Sequence, residues 1–303
     1  MKRSKITILL AIVLGMTFHS CLDLEPQDQL GGKNMWTSVN DYKQFANTFY
    51  SWTRDFSSVV YDGTHSDKRS DLITYQSYNE FSRGINSIPS SDANYTDNYK
   101  HIRRTNLLLQ NAEAYAKPED IKQYIGEAYF FRAYSYFDLL QLYGDVIITK
   151  KPLDITDPEM KVKRNDRSEV VDLIIDDLNH AVENLPAFKE LTTEEEGRIS
   201  KEGAQAFLSR VALYEGTWQK SRNGNQNTQR SANLLDIAAK AARTVIDAKY
   251  GYTFRLFGTD SETKILGDSA QKYMFILENE KSNPAGIKKS SNHEYIFARR
   301  HDQ

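Results

Sequence analysis

Cysteine is almost missing from this chain. Cys21 stands alone, so no internal disulfide can staple the fold and stability has to come from a packed core. Proline is scarce at seven residues, which leaves room for long helices. Beyond the N-terminus no apolar run approaches the roughly 20 residues needed to span a bilayer. Neither charge sign dominates, with 39 basic residues against 41 acidic ones. Such a balance argues against nucleic acid and against a polybasic membrane-binding surface. The six histidines are scattered (His19, His65, His101, His180, His293, His301) and form no paired metal motif. There is no nucleophile elbow and no phosphate-cradling glycine loop. Nothing singles out the two flanking carboxylates of a glycosidase. No cofactor is implied, and catalysis finds no support.

What is present begins with the surroundings of Cys21. Lys2, Arg3 and Lys5 precede an apolar run from Ile6 to Phe18, then Ser20 and the thiol. This layout predicts a secretory signal peptide over residues 1–20, too short to be a membrane span. A thiol directly after the small residue is the one a bacterial lipoprotein pathway would acylate. A free structural cysteine would sit better in an apolar core segment. Two or more acyl chains would anchor the protein stably, whereas one would not. Removing residues 1–20 leaves 36 basic against 41 acidic residues, a mildly acidic mature balance of −5. The polar, proline-containing stretch over 21–33 reads as a lipidated tether.

Aromatics are abundant, with 18 Tyr and 14 Phe. From residue 34 onward the apolar spacing is helical and lacks the alternation of a large sheet. Helices are predicted over Asn40–Trp52, Asp97–Ala116, Pro118–Tyr143, Ser168–Leu185, Ser200–Gly216 and Ser231–Ala248. Pro118 suits a first helical turn, Gly144 ends the third helix, and Ser168 reads as the cap of the fourth. Three consecutive pairs suggest an all-α, tetratricopeptide-like solenoid. An internal echo supports this: Ala128, Arg132 and Tyr136 recur as Ala206, Arg210 and Tyr214, each set spaced by four on one helical face. Glu127 and Arg132 read as a charge pair locking helices together. Tyr129, Tyr134, Tyr136 and Phe137 read as core.

A long insertion, Thr53–Ser91, separates the first two helices and is too aromatic for a plain linker. Flat rings can pack against the C–H faces of sugars while polar neighbours meet the hydroxyls. Tyr75, Tyr78 and Phe81, with Asn79 and Arg83, are therefore the candidate ligand platform. Packing of the insertion onto the helices is the competing reading. Asp62, Asp67 and Asp71 lack the glycine and terminal glutamate of a calcium loop. The tail after Tyr250 is irregular, with a short strand-like run at Glu294–Ala298.

The stretch from Gly126 to Val146, GEAYFFRAYSYFDLLQLYGDV, resembles the signature of the SusD/RagB family of Bacteroidota outer-membrane lipoproteins. Similar family stretches follow in order: Asp172–Pro186, Gly197–Lys201 with Ala204–Gly216, Tyr250–Phe257 and Asn292–Phe297. Asp23, Leu24 and Pro26 behind the cysteine also resemble the family's start. Ile147 stands where the family usually has proline. The resemblance implies non-catalytic capture of a glycan or similar nutrient at the cell surface. It further implies an outer-membrane lipid anchor at Cys21 and delivery to a TonB-dependent, SusC-like transporter. It spans nearly all of this chain but only the first part of a typical member. The helical domain over 34–303 is thus expected to be incomplete, with apolar surface exposed on its last pair. A tetratricopeptide-type protein-interaction lipoprotein without sugar binding is the alternative.

Overall fold

The computed structural model describes residues 35–53, 83–222 and 228–298. Six principal helices follow one another: α1 Val39–Asn47, α2 Ala93–Glu113, α3 Lys122–Tyr143, α4 Arg167–Asn184, α5 Lys201–Arg222 and α6 Thr228–Ile246. A single turn, α7 Ala270–Tyr273, lies in the tail. Among the described residues there is no strand ladder, only one antiparallel bridge between Val146 and Asn165. The run Glu294–Ala298, expected to be strand-like, is irregular chain.

Local chemistry accounts for the helix ends. Ser38 and Asp41 form a reciprocal capping box at α1, with Ser38 N–H donating to Asp41 Oδ2 at 2.8 Å. The α2 helix starts at Ala93, four residues earlier than its apolar pattern suggests, because Asp92 caps it by accepting from Asn94 N–H at 2.9 Å. A 3-10 turn, Pro118–Ile121, leads into α3. At its far end Gly144 takes φ +73°, which a side chain would resist. The cap of α4 is Asp166, not Ser168: Glu169 accepts from Asp166 N–H at 3.1 Å. Asp145 takes the Arg167 N–H at 2.9 Å, tying the α3 exit to the α4 entrance.

The pairs α3/α4 and α5/α6 pack closely, as expected, and α4 links them by packing on α5. The first pair differs from expectation. α2 lies mainly along α3, while α1 barely touches α2. Instead α1 and the following turn insert Tyr42, Phe45 and Phe49 into an aromatic wedge, with Phe49 5.8 Å from Phe131 of α3. One large core runs through all six helices. A satellite cluster around Phe257, Leu266, Leu277 and Ile287 organises the tail.

The internal echo does not carry over to packing, since Ala206 and Tyr214 are only half-buried. Ala128, Arg132 and Tyr136 are buried, but Arg210 is exposed. Helix α5 turns Ala204, Leu208, Val211 and Glu215 inward instead. The expected Glu127–Arg132 pair does not form, because each side chain meets a partner on another segment. Glu127 pairs with Arg198 and Arg132 with Asp177. Tyr136 and Phe137 are core, while Tyr129 and Tyr134 are half-buried. On the last pair Leu213 and Ile246 are exposed, yet Ile88 and Ile155 elsewhere are more so, at 96% and 92%.

A candidate ligand groove beside the second helix

Three side chains make a buried polar spine across the helix stack. Arg132 donates through Nε and Nη2 to Asp177 at 2.8 and 2.6 Å, and through Nη1 to Asn106 Oδ1 at 2.8 Å. Burial holds the Asp177 carboxyl above its ordinary value, with the two-pronged bond from Arg132 opposing the rise. Asn106 then spends its amide on the Thr149 and Lys151 carbonyls at 3.0 and 3.3 Å. Tyr136 Oη donates to Thr149 O at 3.2 Å and accepts from Thr149 N–H at 2.8 Å. Ile148 N–H donates to Asn165 Oδ1 at 3.0 Å. Residues 146–151 are therefore nailed down as an extended strap along α2 and α3.

Between this strap and α2 lies a groove of about 470 Å³, within the usual range for a small-ligand site. Its α2 wall is Tyr95, Tyr99 and Arg103, one turn apart on one face. The two phenol rings stand 4.8 Å apart. Tyr143 backs Tyr95 edge-on at 5.2 Å and donates to Asp92 Oδ2 at 2.6 Å. Tyr99 donates to Ile147 O at 2.8 Å, and burial raises its pKa strongly. The tyrosines of α2 and the strap itself are thus fixed before any ligand arrives. Opposite lie Ile147, Leu153 and Met160, with Lys100, Lys151 and Glu159 at the rim. Lys151 pairs with Glu159 at 2.8 Å, and Lys100 with Asp97 at 2.7 Å.

A second clasp closes the molecule elsewhere. Arg198 donates through Nε and Nη2 to Glu127, both at 2.7 Å, and faces the Tyr50 and Tyr124 rings. Ile199 N–H donates to Tyr50 Oη at 3.0 Å. A neighbouring hollow of about 440 Å³ is bordered by Phe188, Tyr252 and Tyr295.

Of the residues expected to bind ligand, Tyr75, Tyr78, Asn79 and Phe81 lie outside the described residues, as do Cys21, Asp62, Asp67 and Asp71. Arg83 is described and exposed, in the turn that leads to the α2 cap. The groove residues escaped the sequence reading, which began the second helix at Asp97 and so left Tyr95 outside it. The four-residue spacing of Tyr95, Tyr99 and Arg103 was the available signal. Among the described residues no group of three metal-ligating side chains occurs, and no helix is long and apolar enough to cross a membrane.

A stack of close-packed helix pairs with rigid, aromatic-lined hollows defines a tetratricopeptide-like binding scaffold. The chain belongs to the SusD-like family, whose profile, described as "Starch-binding associating with outer membrane", matches residues 22–213. A SusD-like protein of Formosa agariphila is 28% identical over 233 residues, covering 70% of this chain and 42% of the relative. A SusD-like protein of Bacteroides fragilis superposes with a TM-score of 0.62 at 22% identity, over 90% of this chain and 47% of the other. A further structure, solved with a xylogluco-oligosaccharide, gives 0.53 at 21% identity over 84% and 43%. At these identities the structural likeness shows the fold. The chain spans less than half the length of each of these relatives.

Proposed function

We propose that this chain serves non-catalytic capture of a glycan at the outer surface of the outer membrane. It hands that cargo to a TonB-dependent, SusC-like transporter. Residues 1–20 act as the lipoprotein leader, Cys21 carries the acyl chains, and 21–33 tether a helical domain that fills the rest. The observation that carries this reading is the family match over residues 22–213, which begins one residue past Cys21 and covers the spine, the strap and the groove. The related fold solved with a xylogluco-oligosaccharide adds support. Anchoring confines protein and transporter to one surface, where effective concentration makes modest affinity sufficient. Tyr75, Tyr78, Asn79, Phe81 and Arg83 are proposed to add ligand contacts from the insertion.

The test is direct. The chain, titrated calorimetrically against a panel of soluble glycans, binds at least one and releases no reducing ends. Release of reducing ends refutes the non-catalytic reading. Binding to no glycan, with stable capture of an exported protein, favours the adaptor instead. In cells fed an alkyne-bearing palmitate, the wild-type chain takes up label and Cys21→Ser does not. An unlabelled wild type removes the anchor from the scheme.

A further inference from the structure

We propose that the groove between α2 and the strap takes an acidic sugar, a glycan unit bearing a carboxylate or sulfate. This rests on the capture reading and narrows its ligand class. The groove offers both things such a unit needs. Tyr95 and Tyr99 present ring surface for the apolar C–H face of the sugar, and the Tyr99 hydroxyl is already committed to Ile147 O. The charge at the rim supplies the rest. Lys100, Arg103 and Lys151 stand there against two carboxylates, Glu159 and the adjoining Asp97, which leaves one cation in excess on a chain whose overall balance is negative.

The three cations are not equivalent. Lys100 is held by Asp97 and Lys151 by Glu159. Arg103 makes no hydrogen bond or ion pair with another described residue, though it stands one turn beyond Tyr99 on the same wall. The arginines at two further hollows are already engaged: Arg198 by Glu127 in the one beside Phe188, and Arg230 by Asp172 in one between α4 and α6. A guanidinium presents two parallel N–H donors that match the paired oxygens of a carboxylate or sulfate. Placed beside a sugar-stacking face, that fork reads charge and ring together. The stacking face needs no rearrangement, since Tyr143 backs Tyr95 and the strap holds Tyr99, so little binding energy is lost to ordering it.

The experiment titrates the full chain with oligogalacturonate, a sulfated galactan oligomer and a neutral cello-oligosaccharide, each at low and high salt. Binding of either acidic oligomer at least tenfold tighter than the neutral one, weakening as salt rises, is the expected result. Arg103→Ala removes about tenfold or more of that preference, in line with a lost charge-assisted bond. Arg103→Lys restores part of it. Arg103 is exposed, so the variants keep the fold, checked by an unchanged melting temperature. Equal binding of acidic and neutral oligomers, or an Arg103→Ala variant with undiminished preference, overturns the acidic-sugar inference while leaving glycan capture intact. Failure to bind any of the three, when other neutral glycans do bind, also overturns the inference alone. Failure across a whole glycan panel overturns both. Binding of phosphatidylglycerol vesicles without any acidic oligomer reassigns the groove to a lipid headgroup and overturns the proposal.

Discussion

Replacing Arg132 by methionine would strip the polar spine of its cation while roughly conserving side-chain volume. Arg132 is 5% exposed and Asp177 is fully buried. The change therefore leaves a carboxylate in the core without its two bonds, and Asn106 Oδ1 without its donor. Breaking one partner of a buried pair costs about 3–5 kcal/mol, a large share of the roughly 5–15 kcal/mol that holds a domain together. At a urea dependence near 3 kcal/mol per molar, the midpoint should fall by about 1–1.7 M. The partner change, Asp177→Leu, strands the arginine and should cost a similar amount. Carrying both changes removes both charges at once, so the double variant should recover at least about 2 kcal/mol relative to additivity. Urea unfolding of the four proteins, followed by circular dichroism, closes the cycle. The strap gives a second readout, because Thr149 N–H donates to Tyr136 Oη and should exchange with solvent faster in Arg132→Met. A cost below about 1 kcal/mol for Arg132→Met, or strict additivity in the double variant, would refute the claim that this pair holds the stack.

Two other perturbations test the helix contacts. At Gly126 an added Cβ would stand 2.9 Å from both the Leu185 backbone nitrogen and its Cγ. Gly126→Ala should therefore destabilise by about 1–3 kcal/mol despite a gain of about 1 kcal/mol in helix propensity. Gly216→Ala, which meets the flexible end of Leu235 at 3.0 Å, should cost less, and thermal melts of both variants rank them. His101 stacks on Trp52 at 4.1 Å. Burial pulls its pKa down to about 4 from 6.5, with Asp97 opposing. The folded chain prefers the neutral ring, so this contribution is complete above pH 6.5 and is lost as pH falls through about 4. With part of the ring still in water, it amounts to about 1 kcal/mol. The drop in urea midpoint from pH 7.5 to 4.5 should be smaller in His101→Phe than in wild type. Buried carboxylates such as Asp177 cancel in that difference, and an identical drop contradicts the assignment.

The helices were readable because their signals are local. Apolar spacing, Pro118 and Gly144 placed α3 to within its first turn, and α4 and α6 followed from the same periodicity, whereas α5 runs past its expected end at Gly216 to Arg222. What escaped depends on partners far along the chain. Glu127 and Arg132 lie on one helix, so a sequence reading joins them, yet their counter-ions arrive from residues 198 and 177. The match between Arg132 and Arg210 was one of spacing alone, and only tertiary packing reveals that Arg210 faces solvent. Ser168 looked like a cap because serine favours that place, but Asp166 stands nearer the turn that Asp145 anchors. The groove was hidden for a similar reason. Half of it is a strap with no regular structure, held in place by Asn106 and Tyr136.

The Arg198 clasp also dictates an order of assembly. It reaches back 71 residues to Glu127, and the adjoining Ile199 amide reaches 149 residues to Tyr50. Contacts of such separation come late, after nearer ones have repaid the loss of chain freedom. The N-terminal wedge should thus be the last part to latch and the first to open under protease. A version stopped anywhere before residue 198 would leave Glu127 sealed in without its counter-ion and Tyr50 Oη without the Ile199 amide.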